Sequence, residues 1–192
     1  MSSPEDRRIR RTKTILRSAL ISLLSEKELY NITISELTEQ ADVNRGTFYS
    51  HYSDIYHLFS EMEQEVLDDL LQILLPVLKN PLTWRVGVQD FLSFVKNNES
   101  VFFIILRTSG PSFYDKLIAI LHTCVETVGK FSFSSEKLEH YEYLYVYSLT
   151  GIINIMLSWK KRECPHSIEE MSELIELLIL RTFPSLPNNA DT

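Results

Sequence analysis

Between its proline, glycine and serine clusters, the chain runs in segments of roughly 10 to 25 residues whose apolar side chains recur every three or four positions. That spacing lines one face of a helix, whereas a half-buried strand requires strict alternation, so the chain is expected to fold as helices that bury a stripe against one another. Only five glycines interrupt the pattern, and β-branched runs are short. The expected fold class is all-α. Apolar residues make up 44% of the 192 residues, enough to fill a sizeable core, which excludes a disordered chain.

Helix start and stop signals divide the chain further. Ser3 to Asp6 reads as a helix start, with Ser3 as cap, Pro4 in the first turn and two acids at the positive end of the dipole. Ile9, Leu16, Leu20, Leu23 and Leu24 form its expected buried stripe, ending near Lys27. Thr33 and Glu36 make a capping box for a short helix reaching about Ala41. Asn44 caps a third helix, expected from Arg45 to about Tyr52. Ser53 and Asp54 open a long fourth helix that is expected to weaken or end at Pro76. Further helices are predicted near 82–97, 99–108, 112–129, 136–161 and 167–183, the last opened by a second capping box, Ser167 with Glu170. The stretch HYEYLYVYS at 140–148 carries a competing period-two signal. It lies within a long segment free of proline and turn clusters, which favours helix. Gly151 in that segment is expected to mark a close approach by a neighbouring helix.

The net charge of −7 argues against a protein that coats nucleic acid indiscriminately. The charge is unevenly divided, however: residues 1–60 carry eight basic and eight acidic side chains, so the deficit lies entirely beyond them. Arg7, Arg8, Arg10, Arg11, Lys13 and Arg17 form a block with no acid between them, which is where phosphate would be met. The acids Glu61, Glu63, Glu65, Asp68 and Asp69 are expected to solvate the outer face of the fourth helix.

Two short helices joined by a tight turn after a longer amphipathic helix have the layout of a helix-turn-helix. Ile34, Leu37, Ala41, Val43, Phe48 and Tyr52 would pack the pair, leaving Arg45, Thr47, Tyr49, Ser50 and His51 pointing outward to phosphates or base edges. Gly46 either opens the helix start to a phosphate or relieves crowding against another helix. The stretch TISELTEQADVNRGTFYSHYSDIYHLF closely resembles the DNA-binding region of TetR-family transcriptional regulators, with Thr33, Leu37, Ala41, Val43, Gly46, Thr47, Phe48, Tyr49 and Tyr52 in register. FLSFVKNNESVFFIIL, YSLTGIINIMLSW and SIEEMSELI resemble a ligand-domain type found in such regulators from low-GC Gram-positive bacteria. The resemblance implies phosphate contacts from Thr33, Thr47 and Tyr49, with Arg45, Ser50 and His51 facing bases or nearby backbone. It departs at Ile55, where the family usually has a DNA-contacting lysine, and at Asp42, where the turn usually has glycine.

The expected DNA-binding set is therefore Thr33, Asn44, Arg45, Gly46, Thr47, Tyr49, Ser50 and His51, with Arg10 and Arg11 from the basic block. Most aromatics between 82 and 160 read as core. A subset, Phe91, Phe94, Phe103 and Tyr147 with His122 and Asn154 as polar groups, is expected to line an apolar ligand pocket. Ile152, Ile155, Leu174 and Leu178 are expected at a four-helix interface with a second copy. No enzyme motif is found, the histidines are scattered, and the two cysteines form no metal-binding spacing, so no catalytic residue, metal or cofactor is expected. No apolar run reaches the roughly 18 residues of a membrane span, and no targeting segment is read at the N-terminus. The expectation is a nine-helix, two-domain cytoplasmic homodimer with a helix-turn-helix domain at 1–54 and a ligand-binding and dimerisation domain at 55–192. It would bind a near-palindromic duplex operator, acting as a repressor released by a small apolar effector. A co-activator or interaction protein working through protein partners is the alternative.

Overall fold

The computed structural model describes residues 4–80, 83–129, 138–163 and 165–182. Among them are nine α-helices, one 3₁₀ turn and no strand: α1 Pro4–Glu26, the turn Leu29–Asn31, α2 Ile34–Gln40, α3 Arg45–Tyr49, α4 Ile55–Lys79, α5 Trp84–Asn97, α6 Glu99–Ser109, α7 Pro111–Gly129, α8 Leu138–Lys161 and α9 Ile168–Thr182. None of these helices is long and apolar enough to cross a membrane. The all-helical expectation holds. HYEYLYVYS lies within α8, where Tyr143 and Tyr147 share an exposed face four residues apart, so the tyrosine alternation coincides with helical spacing.

Two compact units are formed. The first comprises Met1–Asp68 with Glu99–Gly110. Its core gathers Leu16, Leu20 and Leu24 of α1, Leu37 of α2, Phe48 of α3, Tyr52, Leu58 of α4, and Phe102 and Ile105 of α6, all essentially inaccessible to solvent. α1 packs on both α2 and α6, and Arg107 of α6 donates to the Leu24 carbonyl, placing a cation near the negative end of α1. The second unit comprises Asp69–Asn98 with Pro111–Thr192, where α9 packs on α5 and α8, and α7 on α8. Leu92, Val95, Phe113, Ile153, Met156 and Ile175 fill its core, and Arg85 pairs with Glu176 at 3.2 Å.

Several local expectations need correction. The cap assigned to Ser3 lies outside the described residues. Ile9 is 40% exposed rather than buried, because it lines an open concavity of about 410 Å³ with Asp6, Arg10, Lys13, Thr14, Arg17 and Glu65. The buried stripe of α1 begins at Leu16. α3 closes at Tyr49, not Tyr52, because the His51 N–H donates three residues back to Phe48 and the Ser50 hydroxyl takes the Thr47 carbonyl. α4 continues through Pro76 to Lys79: the proline sits in the last turn and lacks only its own N–H, while its carbonyl still accepts from Asn80 at 2.9 Å. Gly151 is exposed and a Cβ there would meet no atom within 4 Å, so no helix approaches it closely among the described residues.

The turn between α2 and α3 is a Schellman motif. The Val43 N–H donates to the Thr38 carbonyl at 3.0 Å and the Asp42 N–H to the Glu39 carbonyl at 3.1 Å, which puts Asp42 in the left-handed region at φ 51°. A side chain there costs about 1–2 kcal/mol, partly offset because glycine would lose about 0.5–1 kcal/mol more backbone entropy on folding. Asp42→Gly is expected to raise unfolding stability by about 0.5–1 kcal/mol, read as a higher denaturant midpoint at unchanged m-value.

Candidate nucleic-acid interface

The capping box at the start of α2 is complete. The Glu36 N–H donates to Thr33 Oγ1 at 3.2 Å, and the Thr33 N–H and hydroxyl donate to Glu36 Oε2 at 2.9 and 2.8 Å. Lys27 reaches the same carboxylate at 2.6 Å; this hydrogen bond, with those from Thr33, holds the Glu36 pKa down to about 2. At the start of α3, Asn44 Oδ1 accepts from the Thr47 N–H at 2.9 Å and from its hydroxyl at 3.2 Å. Gly46 serves this cap. A Cβ at 46 would sit 3.2 Å from Asn44 Oδ1, and no atom of another helix is nearer, so crowding against a neighbouring helix is not its reason.

Phe48 anchors α3 to the core, and its ring meets Tyr49 edge-on at 5.6 Å and Tyr52 at 5.8 Å. The rest of α3 faces outward: Asn44, Arg45, Gly46, Tyr49 and Ser50 are exposed, Thr47 and His51 half-buried. Arg45 Nη2 donates to Ser35 Oγ of α2 at 2.6 Å. The hydroxyls of Thr33, Thr47 and Ser50 already donate to protein acceptors, so any new partner would take them by exchange. The Tyr49 phenol, with 57% of the residue exposed, stands out into solvent, as does the Arg45 guanidinium.

The basic block divides in two. Arg7, Arg8, Arg10 and Arg11 are exposed along the first turns of α1. Lys13 and Arg17, one turn apart, instead turn onto α4. Lys13 Nζ donates to both oxygens of Glu61 at 3.0 and 2.8 Å, Arg17 donates to Glu61 Oε1 at 2.5 Å, and Arg17 also pairs with Glu65. The buried Tyr52 hydroxyl completes the cluster, donating to Glu61 Oε1 at 2.9 Å, with Lys13 Nζ 5.4 Å from the Tyr52 ring centre. The acidic patch thus does more than solvate α4: Glu61 and Glu65 clamp α1, and Glu63 is buried. Ile55, where the family usually has lysine, is also buried and serves the core. The sequence offers only two cations and two acids, each pair at i and i+4 on separate helices; that the two pairs meet depends on where the helices cross.

Partial burial alone would raise the Glu61 pKa; hydrogen bonds from Lys13, Arg17 and Tyr52 outweigh it and hold the carboxyl at about 2. Burial, then the bond to Glu61, pushes the Tyr52 phenol up. The folded Glu61 pKa lies below its ordinary value of 4.5, so its stabilisation is complete above that value and is lost as pH falls toward about 2. Wild type and Glu61→Gln, unfolded by denaturant at pH 6 and pH 3, are expected to differ most at pH 6 and less at pH 3, the gap closing only as pH nears about 2.

The residues expected to line a ligand pocket are distributed over α5, α6, α7 and α8. Phe91 and Phe94 are half-buried on α5 and Phe103 is half-buried on α6, in the other unit. Tyr147 and Asn154 are exposed on α8, and the Asn154 amide donates to the Thr150 carbonyl at 2.7 Å. The side chain of His122 lies outside the described residues. Among the residues expected at a dimer interface, Ile152 and Ile155 are half-buried, while Leu174 and Leu178 are exposed alongside Leu177.

Comparison with known proteins agrees with this arrangement. Residues 16–62 match the model for bacterial regulatory proteins of the tetR family, and residues 83–181 match that for a transcriptional regulator C-terminal region. An HTH-type transcriptional regulator of Bacillus subtilis, YxbF, is 24% identical over 176 residues, covering 85% of this chain and 43% of that protein; the chain spans less than half of that relative's length. A TetR transcriptional regulator from Streptococcus agalactiae superposes with a TM-score of 0.65 at 22% identity, over 91% of this chain and 97% of that one. The dihydroxyacetone kinase operon activator DhaS superposes with a TM-score of 0.59 at 18% identity, over 92% and 98%. With a helix-turn-helix at its N-terminal end and family matches that together span most of its length, the chain belongs to the TetR family of DNA-binding transcriptional regulators.

Proposed function

We propose that this TetR-family protein is a cytoplasmic repressor that binds a near-palindromic duplex as a homodimer and is released by a small apolar effector. Residues 1–54 act as the DNA-binding domain and 55–192 as the ligand-binding and dimerisation domain. The observation that carries this reading is α3 itself. One buried aromatic, Phe48, fixes the helix while Arg45, Tyr49 and Ser50 remain exposed on its outer side. Arg45 reads a guanine edge or its neighbouring phosphate, Tyr49 donates to a phosphate, and Ser50 and His51 add shorter contacts. Asn44, Gly46, Thr47 and Thr33 line the helix starts that face the backbone, and Arg10 and Arg11 reach it from α1.

Exposed leucines support the homodimer. Leu174, Leu177 and Leu178 of α9 are 43%, 52% and 40% exposed and share one side of the helix with spacings of three and four. With Ile152 and Ile155 of α8 they provide an apolar surface of the kind a second copy covers. Dimerisation sets two α3 helices one DNA turn apart, about 34–36 Å.

The co-activator alternative draws on Ile55. The first turn of α4 carries no lysine or arginine, and Ile55 is committed to the core, so this regulator has one backbone contact fewer. DhaS, a protein of the same fold, is named an activator.

Selection of duplexes from a random pool by the full-length protein is expected to yield a near-palindrome whose binding weakens steeply with salt. Selection of no sequence, or binding insensitive to salt, overturns the reading.

A further inference from the structure

α3 has five residues, too few to hold a helix or an orientation without its neighbours. Phe48 sets its depth in the core, but a single aromatic anchor leaves rotation about that ring open. The second hold is Tyr52, immediately beyond the helix and 1% exposed, whose hydroxyl must find a partner inside the protein. That partner is Glu61 of α4, whose carboxylate is itself immobilised from α1 by Lys13 on both oxygens and by Arg17 on Oε1. One carboxylate therefore joins α1, α4 and the end of α3. We infer that Glu61 is a positioning residue for DNA recognition: by accepting the Tyr52 hydroxyl while pinned by Lys13 and Arg17, it sets the angle at which α3 is presented.

Glu61 acts through Tyr52 and touches no DNA. Its loss leaves α3 folded but free to rock about Phe48, so the two copies of α3 no longer hold one separation. The consequence is specific: affinity falls, and discrimination between half-site spacings falls with it. Lys13 and Arg17, although part of the basic block, then contribute to DNA binding by fixing a carboxylate and not by meeting phosphate.

The inference rests on the proposed reading of α3 as the recognition helix. It is tested with full-length wild type, Tyr52→Phe, Glu61→Gln and the double variant against the duplex selected by the wild type, and against the same duplex lengthened or shortened by one base pair between half-sites. Loss of a buried hydrogen bond to a charged acceptor predicts about a tenfold loss of affinity for Tyr52→Phe. The two altered duplexes are expected to become nearly equivalent to the parent, and the double variant to be no weaker than Glu61→Gln alone. Tyr52→Phe keeps the ring against Phe48, so it decides the matter if Glu61→Gln fails to fold. The inference is overturned if Tyr52→Phe retains affinity and spacing preference within twofold, or if its loss of binding merely follows its loss of folded protein. Should the wild type itself select no duplex, the reading of α3 fails first and this inference with it, a result distinguishable from the others by the wild-type control.

Discussion

Arg45→Ala combined with Tyr49→Ala is expected to lower affinity for the selected duplex at least about 30-fold, since a base-edge or phosphate contact from such a side chain is worth about 1–3 kcal/mol. Neither side chain is itself part of the core: both are exposed, Tyr49 adds only an edge-on contact to Phe48, and the hydrogen bond Arg45 makes to Ser35 joins two exposed groups, worth little in water. The unfolding free energy should fall by no more than about 1.5 kcal/mol, the value of the edge-on pair with Phe48. The two variants separate on specificity. Arg45→Ala relaxes discrimination at one base position, whereas Tyr49→Ala weakens all sequences evenly and reduces the salt slope. Titration of both variants against matched and mismatched duplexes checks this, and retention of full affinity by the double variant would show that DNA is bound elsewhere.

Phe48→Ala should act in the opposite manner, destabilising the first compact unit by about 3–5 kcal/mol. Its side chain is wholly buried against Tyr52 and Tyr49, and removing it opens a cavity at the only apolar anchor α3 has. A loss of that size is a large fraction of the stability of a domain. Denaturant unfolding followed by circular dichroism should therefore show a much lower midpoint, with DNA binding lost in step. If Phe48→Ala kept the wild-type midpoint, α3 would have to be held by its polar contacts alone.

Which features were legible in the sequence follows from the range of the forces involved. The capping boxes at Thr33 and Ser167 and the Asn44 cap are closed by atoms three residues apart, so their residue types announce them. α3 is shorter than its sequence suggests because Ser50 and His51 carry no break signal; the His51 N–H nonetheless turns to the Phe48 carbonyl, which the Tyr52 N–H also meets, and the regular run stops. Pro76 carries a strong break signal, yet α4 passes it, since one missing N–H in a last turn costs less than unwinding it. Ile9 looked like the first residue of a buried stripe. Its periodicity is real, but it borders an open concavity and stays 40% exposed.

The division at the interface is similar. That Arg45, Tyr49 and Ser50 face outward over Phe48 could be read from helical periodicity, because a residue's side of a helix is a local property. That Lys13 and Arg17 turn away from solvent to hold Glu61 could not, because an ion pair between residues 44 or 48 positions apart depends on where two helices cross. By itself, then, the sequence determined the helices, their caps and the polar row on α3, all settled within one or two turns of chain. Only the tertiary structure decided which charges face solvent and which clamp the first helix to the fourth, since burial and pairing are set by the packing of segments distant along the chain.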